Sequence, residues 1–398
     1  MEIYALDNNF VPIHVIEDHS SMVWAERFNE LGDFHLTIPY HNPSTAKLSV
    51  GTWLGLDVSD RIMRVDTLET IFDEDGTLLL DVKGESIEAI LKHRIYWRSS
   101  AGSTINTPYR RTGSVVNLLR NTLILVGFTP SSGSWESMHP QSFVPESVAT
   151  NLYPPDNITD VGSMVSVADK PTDAWSFMSD IMKSYNLGLR FYRNRETKDG
   201  LLYCNVYLGS NRVLNQTARD PVVFSPSLDN IQNQSVTESI REEVIGVWVW
   251  DTSGARTSIY YPDYGNAPPF SGLNLRINTI VTEPPEDADA ADRLAHRMSL
   301  GIEHLNTHSH KILIDGETTR NSAYTYGEDY FLGDRVEMLT DYGYSDHMRV
   351  TEQIFVSDAE GTRSYPTLST ERIVNQDSWM GQPTSLHWAQ AQGSWSEQ

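Results

Sequence analysis

The tightest group of residues that could bind a metal ion is a histidine cluster at the end of a predicted helix. His304 and His308 are four residues apart, so a continuous helix would place both imidazoles on one face, and His310 follows two residues later. The helix is predicted to end near Leu305 and a strand to begin at Lys311, so this shared face should not persist. We therefore expect packed or solvated histidines and no metal site.

Hydrolytic chemistry would require carboxylates or a nucleophile in a defined arrangement. Neighbouring acids such as Asp57 with Asp60, and Glu242 with Glu243, are expected by chance among 53 acidic residues. A glycosidase needs two carboxylates at a fixed distance across a sugar cleft, and spacing along the chain does not establish that distance. The single cysteine, Cys204, lies on an alternating apolar run and is expected to be buried.

The sequence also lacks the short motifs that position reactive groups. It contains neither of the glycine-rich phosphate-binding patterns, G-x-G-x-x-G and G-x-x-x-x-G-K-[ST], and no G-x-S-x-G, H-E-x-x-H or C-x-x-C motif. No catalytic residue and no cofactor are therefore predicted, and we expect that the protein is not an enzyme.

Two groups of aromatic residues are candidate partner contacts. The first surrounds a loop rich in proline and glycine at 261–272, where aromatic side chains either fold back as a satellite core or anchor an interface. The second lies in the polar C-terminal segment, which offers little apolar surface to bury large rings. The candidates are Tyr260, Tyr261, Tyr264, Phe270, Trp379, Trp388 and Trp395.

Composition excludes several classes of protein. The formal net charge of −23 argues against a nucleic-acid-binding surface, because neutralising phosphates takes clustered Lys and Arg. One cysteine excludes an intramolecular disulfide framework. No run approaches 18 consecutive apolar residues and no secretory signal peptide is recognised, so we expect no membrane-spanning segment.

The elements that must position these residues are mostly short strands, so we predict a mainly β fold with an α/β insertion. A chain of 398 residues should form two to four domains. Alternating apolar runs with one apolar face each, as in the first hundred residues, suit a small closed barrel. The predicted units are a first β-barrel domain at 1–95, an α/β insertion domain at 96–215, a second β-barrel domain with one inserted helix at 216–375, and a flexible polar and aromatic tail at 376–398.

Two helices are predicted in the insertion, one capped by Thr112 and one capped by Thr172 and ended by Gly188. Residues 130–171 have weak periodicity and many Ser, Pro, Gly and Asn, which predicts a long loop or an excursion between domains. The helix inserted in the second barrel is predicted over about 286–305.

Four stretches of the chain form a recognisable set. They are the W…F…G-x-F-x-L-x-x-P pattern at 24–39, the G-x-S-[LI]…I-L-x-x-R helix entry at 84–94, the segment 209–231, and Gly333-Asp334-Arg335-Val336. This set resembles minor tail proteins of long-tailed phages of actinobacteria, in the baseplate hub group related to the N-terminal hub domains of tail-associated lysins. Together they span about residues 20–375.

This resemblance implies a tail-tip hub with two barrels of phage tail hub type, assembled as a ring-shaped homotrimer with pseudo-sixfold symmetry. Its implied partners are the distal tail protein ring and other tail-tip, tape-measure and fibre proteins. Phage DNA would pass through the channel without specific binding, which the acidity favours. The implied location is the tail tip or baseplate of the virion, after synthesis in the host bacterial cytoplasm. The alternatives are a tail-associated cell-wall hydrolase and a carbohydrate- or receptor-binding tail module.

Overall fold

The computed structural model describes residues 1–73, 75–96, 110–123, 126, 163–168, 172–197, 202–262, 265–268, 272–283, 289–319, 323–340 and 345–370. Strands dominate these residues, as predicted. The strands are β1 (Ile3–Leu6), β2 (Pro12–Ile16), β3 (Ser21–Arg27), β4 (Asp33–Pro39), β5 (Trp53–Leu56), β6 (Ile62–Phe72), β7 (Leu78–Ser86), β8 (Ile95–Tyr96), β9 (Arg110–Ser114), β10 (Ser163–Ala168), β11 (Thr172–Asp173), β12 (Gly188–Arg193), β13 (Leu202–Tyr207), β14 (Val223–Phe224), β15 (Ile231–Ser239), β16 (Gly246–Asp251), β17 (Arg256–Tyr260), β18 (Ile277–Thr282), β19 (Lys311–Thr318), β20 (Arg335–Leu339), β21 (Ser345–Asp358) and β22 (Gly361–Ser369).

The described α-helices are α1 (Val115–Leu123), α2 (Ala174–Tyr185) and α3 (Ala290–Thr307). Short 3-10 helices lie at Pro43–Lys47, Ile87–His93, Pro226–Leu228 and Gly272–Asn274. Among the described residues, no helix is both long and apolar enough to cross a membrane.

Thirteen described strands form one main sheet that runs through both regions predicted to be barrels. The names first barrel (β1 to β7) and second barrel (β14, β15 and β19 to β22) keep that prediction, and no closed ring of strand pairings is seen among the described residues. Its strand order is β15-β19-β22-β21-β3-β4-β7-β6-β5-β1-β2, with β20 also paired to β21 and β14 paired to β20. The antiparallel pairing of β3 with β21 joins the N-terminal and C-terminal parts of the chain. The mainly β fold is therefore confirmed, and the two barrel regions share one sheet.

The N-terminal part of this sheet wraps around its own apolar core. Alternating residues of all seven strands, β1 to β7, contribute to a single buried cluster that includes Ile16 of β2 and Trp24 of β3. Strands at both ends of the local order thus face one interior, as in a barrel. Within the described residues, β2 pairs with β1 and no ladder between β2 and β3 closes the ring of hydrogen bonds.

The C-terminal part repeats this arrangement with β14, β15 and β19 to β22. Its buried cluster contains Phe224 of β14 and Ile231 of β15, which lie at the two ends of the local strand order. The Asn230 side chain links these ends, because its Nδ2 donates to the carbonyl of Val223 (2.7 Å) and its Oδ1 accepts from the amide of Ser225 (2.8 Å).

The segment between β15 and β19 departs from the predicted second barrel. Strands β16, β17 and β18 form a separate three-stranded sheet of order β17-β16-β18, and α3 packs on it. The parallel pairing of β16 with β18 requires a crossover connection, which a barrel meander lacks. The predicted helix is present, at Ala290–Thr307, and it belongs to this small α/β unit.

The first insertion contains both predicted helices, with different ends. Asp173, and not Thr172, caps α2, because its carboxylate accepts from the amide of Ser176 (2.8 Å). Asn186 ends this helix in the left-handed conformation (φ 52°), so Gly188 is free to begin β12.

The structure differs from two other local predictions for this insertion. Thr112 lies in β9, and α1 begins at Val115. Residues 163–168 of the predicted loop form β10, which pairs with β9, and the rest of 130–171 lies outside the described residues.

Candidate assembly interface

The joint between the barrels is a six-residue antiparallel pairing of β3 with β21. It runs from Arg27 opposite Glu352 to Met22 opposite Ser357. Arg27 and Glu352 form an ion pair across it (2.7 Å), and the amide of Phe28 donates to the carbonyl of Thr351 (2.9 Å) just beyond its end. The joint therefore combines main-chain hydrogen bonds with one half-exposed ion pair.

The side chain of Phe28 extends the contact between the barrels into the core of the second barrel. Its ring is 1% exposed and belongs to the core of the second barrel, although the residue follows directly after β3 of the first. Tyr207 packs against it edge-on with centroids 5.5 Å apart, and the guanidinium of Arg349 lies 5.3 Å from its centroid. Gly333 lies beneath the ring with φ 88°, and a Cβ there would lie 2.3 Å from the ring. Only glycine both adopts this positive φ without strain and lacks the Cβ that would collide with the ring.

A buried carboxylate stabilises the first-barrel side of the joint. Glu26 accepts hydrogen bonds from Trp24 Nε1 (3.0 Å), from the hydroxyl of Tyr326 (2.9 Å) and from Ser59. Burial raises the pKa of Glu26, and the nearby charge of Arg61 opposes that rise. Tyr326 belongs to the C-terminal half, so this carboxylate connects both barrels.

A buried ion pair of the first barrel also makes hydrogen bonds to the insertion. Arg61 Nη1 lies 2.9 Å from Glu88 Oε1, and Arg61 Nη2 lies 3.2 Å from the hydroxyl of Tyr207. The same Glu88 oxygen accepts from the amide of Phe191 in β12 (2.7 Å). Burial disfavours the charged guanidinium, but Tyr207, Glu88 and Glu26 outweigh it and raise the pKa of Arg61. Arg61 therefore stays charged.

A second ion pair fastens the insertion to the second barrel. Arg212 Nε donates to Asp334 Oδ2 (2.8 Å), and the same carboxylate accepts from the amides of Ser210 (2.6 Å) and Phe331 (3.1 Å). Burial raises the pKa of Asp334, against the effect of these hydrogen bonds and of Arg212. Glu26 is buried and hydrogen-bonded, and Glu88 and Asp334 are buried and ion-paired, which suits a structural role.

Five strands of each predicted barrel region form an internal repeat. The order β3-β4-β7-β6-β5 in the first barrel matches the order β15-β19-β22-β21-β20 in the second, with the same sequence order and antiparallel pairing throughout. Each also has a β-bulge at the corresponding place. The register shifts between Val65 and Thr67 in β6, and between Val350 and Glu352 in β21.

A glycine turn before β5 and before β20 repeats as well. The amide of Gly51 donates to the carbonyl of Val65 (2.7 Å), and the amide of Gly333 donates to the carbonyl of Val350 (2.7 Å). Both glycines have positive φ, 92° and 88°. Sequence reasoning missed this repeat, although the segments Gly51-Thr52-Trp53-Leu54 and Gly333-Asp334-Arg335-Val336 hold a signal for it: glycine followed by an apolar residue three positions later.

The predicted aromatic contacts are only partly within the described residues. Tyr260 is buried in the small sheet, where its hydroxyl accepts from Trp248 Nε1 (2.8 Å), and Tyr261 packs half-buried against the same core. Tyr264, Phe270, Trp379, Trp388 and Trp395 lie outside the described residues.

The histidine cluster is packed at the end of α3. The rings of His304 and His308 stack with centroids 4.0 Å apart, and His308 Nδ1 lies 2.9 Å from the carbonyl of His304. Asn278 Nδ2 lies 2.9 Å from His304 Nε2, while His310 pairs with Glu238 (2.9 Å). Burial lowers the pKa of His304. The described residues contain no group of three side chains arranged to hold a metal ion.

Two features bear on the hydrolase alternative. An open groove of about 570 Å³ beside β2 contains His14 and Ser44, whose Nε2 and Oγ are 3.1 Å apart. Ser44 is buried as the first turn of a 3-10 helix, and its hydroxyl is poorly placed to attack a substrate. Cys204 is buried as predicted, and burial raises the pKa of its thiol well above the usual value, so it is not an activated nucleophile.

Comparison with known proteins identifies the fold and the family. The structure is similar to the tail protein from Neisseria meningitidis MC58, with a TM-score of 0.58, 12% identity, and coverage of 95% of this chain and 98% of that chain. It is also similar to the 43 kDa tail protein of prophage MuSo2 from Shewanella oneidensis, with a TM-score of 0.55, 12% identity, and coverage of 94% and 98%.

None of the curated proteins compared with the chain matches it. The family model of the siphovirus ReqiPepy6 Gp37-like proteins matches residues 1–259. The phage tail resemblance is thereby confirmed: the chain belongs to this siphovirus family of tail proteins, which are structural components of the virion.

Proposed function

We propose that three copies of this chain form a hub ring around the tail channel, linking the tail tube and the distal tail ring to the tip or host-recognition proteins. The observation that carries the proposal is the internal repeat, in which one chain holds two barrels of the same strand order joined edge to edge. Three copies would place six similar barrels around an axis. That arrangement suits a junction with six-fold tail rings.

The charge of the chain supports a channel through which DNA passes without adhering. Each copy carries a formal charge of −23, so acids outnumber bases on the surface of any ring it forms. Like charges within about 10 Å repel phosphates at 0.1 M salt. We expect the channel wall to be more acidic than basic.

The domain arrangement of the hub follows the predicted boundaries. We propose that residues 1–95 supply the first barrel and that 216–375 supply the second, with the small α/β unit of β16 to β18 and α3 inserted in it. The segment 96–215 is the intervening α/β domain, and 376–398 contacts neighbouring tail proteins. Trp379, Trp388 and Trp395 are the proposed anchors in that last segment, because large aromatic side chains are favoured at interface centres.

The ring proposal is tested by the mass and shape of the purified full chain. We expect light scattering coupled to size exclusion to give three times the chain mass of 45.0 kDa, and negative-stain images to show six-lobed rings. A monomer, or a ring of another copy number, would contradict the hub.

The proposal includes no catalysis. The most enclosed carboxylates of the joint are hydrogen-bonded and ion-paired, and none of them faces the groove beside β2. We expect no clearing of host cell walls in a zymogram. Clearing that disappears in Glu17→Gln or Asp18→Asn, two positions in that groove, would establish the hydrolase alternative instead.

A further inference from the structure

The internal repeat predicts a second joint, at the edge of the first barrel that is equivalent to the edge of β21 paired with β3. We call it the open joint, because no described strand occupies that edge. The part of β6 beyond its bulge, Thr67–Phe72, corresponds to the part of β21 that pairs with β3. It pairs with β7 along one edge, and no described strand pairs with its other edge. The side chains of Thr67, Glu69, Thr70 and Phe72 are exposed, Phe72 to 72%, while Leu68 and Ile71 are partly buried. An open edge with apolar side chains is a template for pairing.

The strand that corresponds to β3 is open as well. β15 ends the strand order of the main sheet, and among the described strands it pairs with β19 alone. Val236 in this strand is 39% exposed and Ile240, directly after it, is 47% exposed. The chain therefore carries both halves of a second joint, on different barrels.

The residue equivalences follow from one row of paired residues beside the bulge. In the first barrel, the row crosses β6, β7, β4 and β3 at Val65, Gly84, Phe34 and Trp24. In the second barrel, the row crosses the equivalent strands β21, β22, β19 and β15 at Val350, Leu368, Ile314 and Val236, in the same order. Counting four residues on from the last member of each row leads to Phe28 and to Ile240. Ile240 is thus the counterpart of the phenylalanine that enters the neighbouring barrel.

The receiving side shows a matching vacant position. A Cβ on Gly333 would collide with Phe28, whereas a Cβ on the equivalent Gly51 would meet no atom within 4 Å. The space that Phe28 fills in the complete joint is open at Gly51. An apolar side chain of the size of Ile240 fits the same role.

We propose that a second copy of this chain fills the open joint: β15 of one copy pairs antiparallel with Thr67–Phe72 of the next, and Ile240 packs over Gly51. The register of the internal joint sets the contact, so Ser239 lies opposite Thr67 and Ser235 lies opposite Ile71. Each copy offers two different edges, so the contact is heterologous and forms a ring when its rotation closes. The inference rests on the proposed hub and names its subunit contact.

Cysteine cross-linking tests the register in the full chain with Cys204 changed to Ala. Ser235→Cys with Ile71→Cys should form intermolecular disulfides, because directly opposite residues in an antiparallel pair have Cα atoms about 4.5–5.5 Å apart. On a non-reducing gel the products should stop at three chains. The equivalent pair Val23→Cys with Val356→Cys, which is opposed in the internal joint, should cross-link within one chain and serves as the reference.

Mixing single variants separates this contact from its rivals. Chains with Ser235→Cys alone or Ile71→Cys alone should not cross-link, whereas their mixture should give dimers. Cross-linking of Ser235→Cys with itself would show an isologous contact and overturn the proposal. So would cross-linking of Ser235→Cys with Ile13→Cys, which lies on β2, the opposite end of the main sheet.

A point substitution tests the side chain that enters the joint. Ile240→Asp should raise the dissociation constant of the ring at least tenfold with an unchanged circular dichroism spectrum, while Val281→Asp, at an exposed position of the small sheet, should not. A trimer that persists in Ile240→Asp and lacks the disulfide overturns this contact and leaves the hub standing. A cross-linked ring of another copy number would contradict the trimeric hub but support this contact. A monomer that does not cross-link would contradict both proposals.

Discussion

The first and second barrels share strand order, bulge and glycine turn, yet they differ in what lies over these features. In the second barrel, Phe28 covers Gly333 and β3 occupies the adjacent edge. In the first, no residue that the structure describes pairs with the equivalent edge or fills the space at Gly51. Within one chain the same site thus occurs once filled and once empty. The filled copy shows which strand and which side chain the empty copy is shaped to receive.

The largest expected effect concerns the buried ion pair of the first barrel that also makes hydrogen bonds to the insertion. Arg61→Ala would leave Glu88 buried without its partner, which costs about 3–5 kcal/mol of unfolding free energy. Arg64→Ala is the matched control, because Arg64 forms a half-exposed pair with Asp66 (2.8 Å) and its loss should cost less than about 1 kcal/mol. Urea denaturation measures both. Equal losses would mean that the buried pair is dispensable.

The next effect compares the two glycines directly. Gly333→Ala places a methyl group 2.3 Å from Phe28 at positive φ, so strain and overpacking together should cost about 3 kcal/mol. Gly51→Ala has the same backbone strain and open space, so about 1 kcal/mol is expected. Unfolding at low protein concentration, where association contributes least, checks the difference. Similar losses would refute the view that only one of the two sites is filled.

A smaller effect depends on pH and concerns the contact between the two α/β units. Glu303 on α3 lies near Asp180 on α2, and burial, with the charge of Asp180, raises the pKa of Glu303 to about 7. A carboxyl group with a raised pKa in the folded state stabilises the fold when protonated. Stability should therefore fall as pH rises from about 4.5 to about 7, and level off above that range.

The expected loss is about 2 kcal/mol, less than the shift in pKa alone implies, because Glu303 is only half-buried. Glu303→Gln keeps a neutral side chain of the same shape and should remove this pH dependence from thermal unfolding curves. A slope that survives in Glu303→Gln would assign the pH dependence to other groups.

Local sequence patterns predicted the strands well and their long-range pairing not at all. Alternation located β1 at Ile3–Leu6, because a strand with one buried face is marked by its own residues. The joint instead brings together groups such as Glu26 and Tyr326, which are 300 residues apart in the chain. No local pattern sets the register of such a pair.

The repeat was hidden for a related reason. Equivalent core positions hold different apolar residues, such as Phe34 and Ile314, because a core requires volume and apolarity and tolerates exchange of identity. At Gly51 and Gly333, where the backbone adopts a positive φ, both barrels have the same residue. The sequence carries no local signal for the parallel pairing of β16 with β18, so sequence patterns alone place the small sheet within the second barrel.

The smallest expected effect transfers the ion pair of the filled joint to the open one. Arg27 and Glu352 are paired at 2.7 Å, and their equivalents at the open joint are Ser239 and Thr67, which carry no charge. Ser239→Arg combined with Thr67→Glu should therefore strengthen ring assembly by about 0.5–1 kcal/mol, a two- to fivefold lower dissociation constant. Ser239→Glu combined with Thr67→Glu places like charges opposite each other and should weaken assembly by a similar factor. Sedimentation equilibrium measures both, and about 0.5 M NaCl should reduce the difference between them because exposed charges are screened. If the like-charge variant assembles as tightly as the opposite-charge variant at low salt, these two positions do not face each other and the open joint is not closed in the register of the filled one.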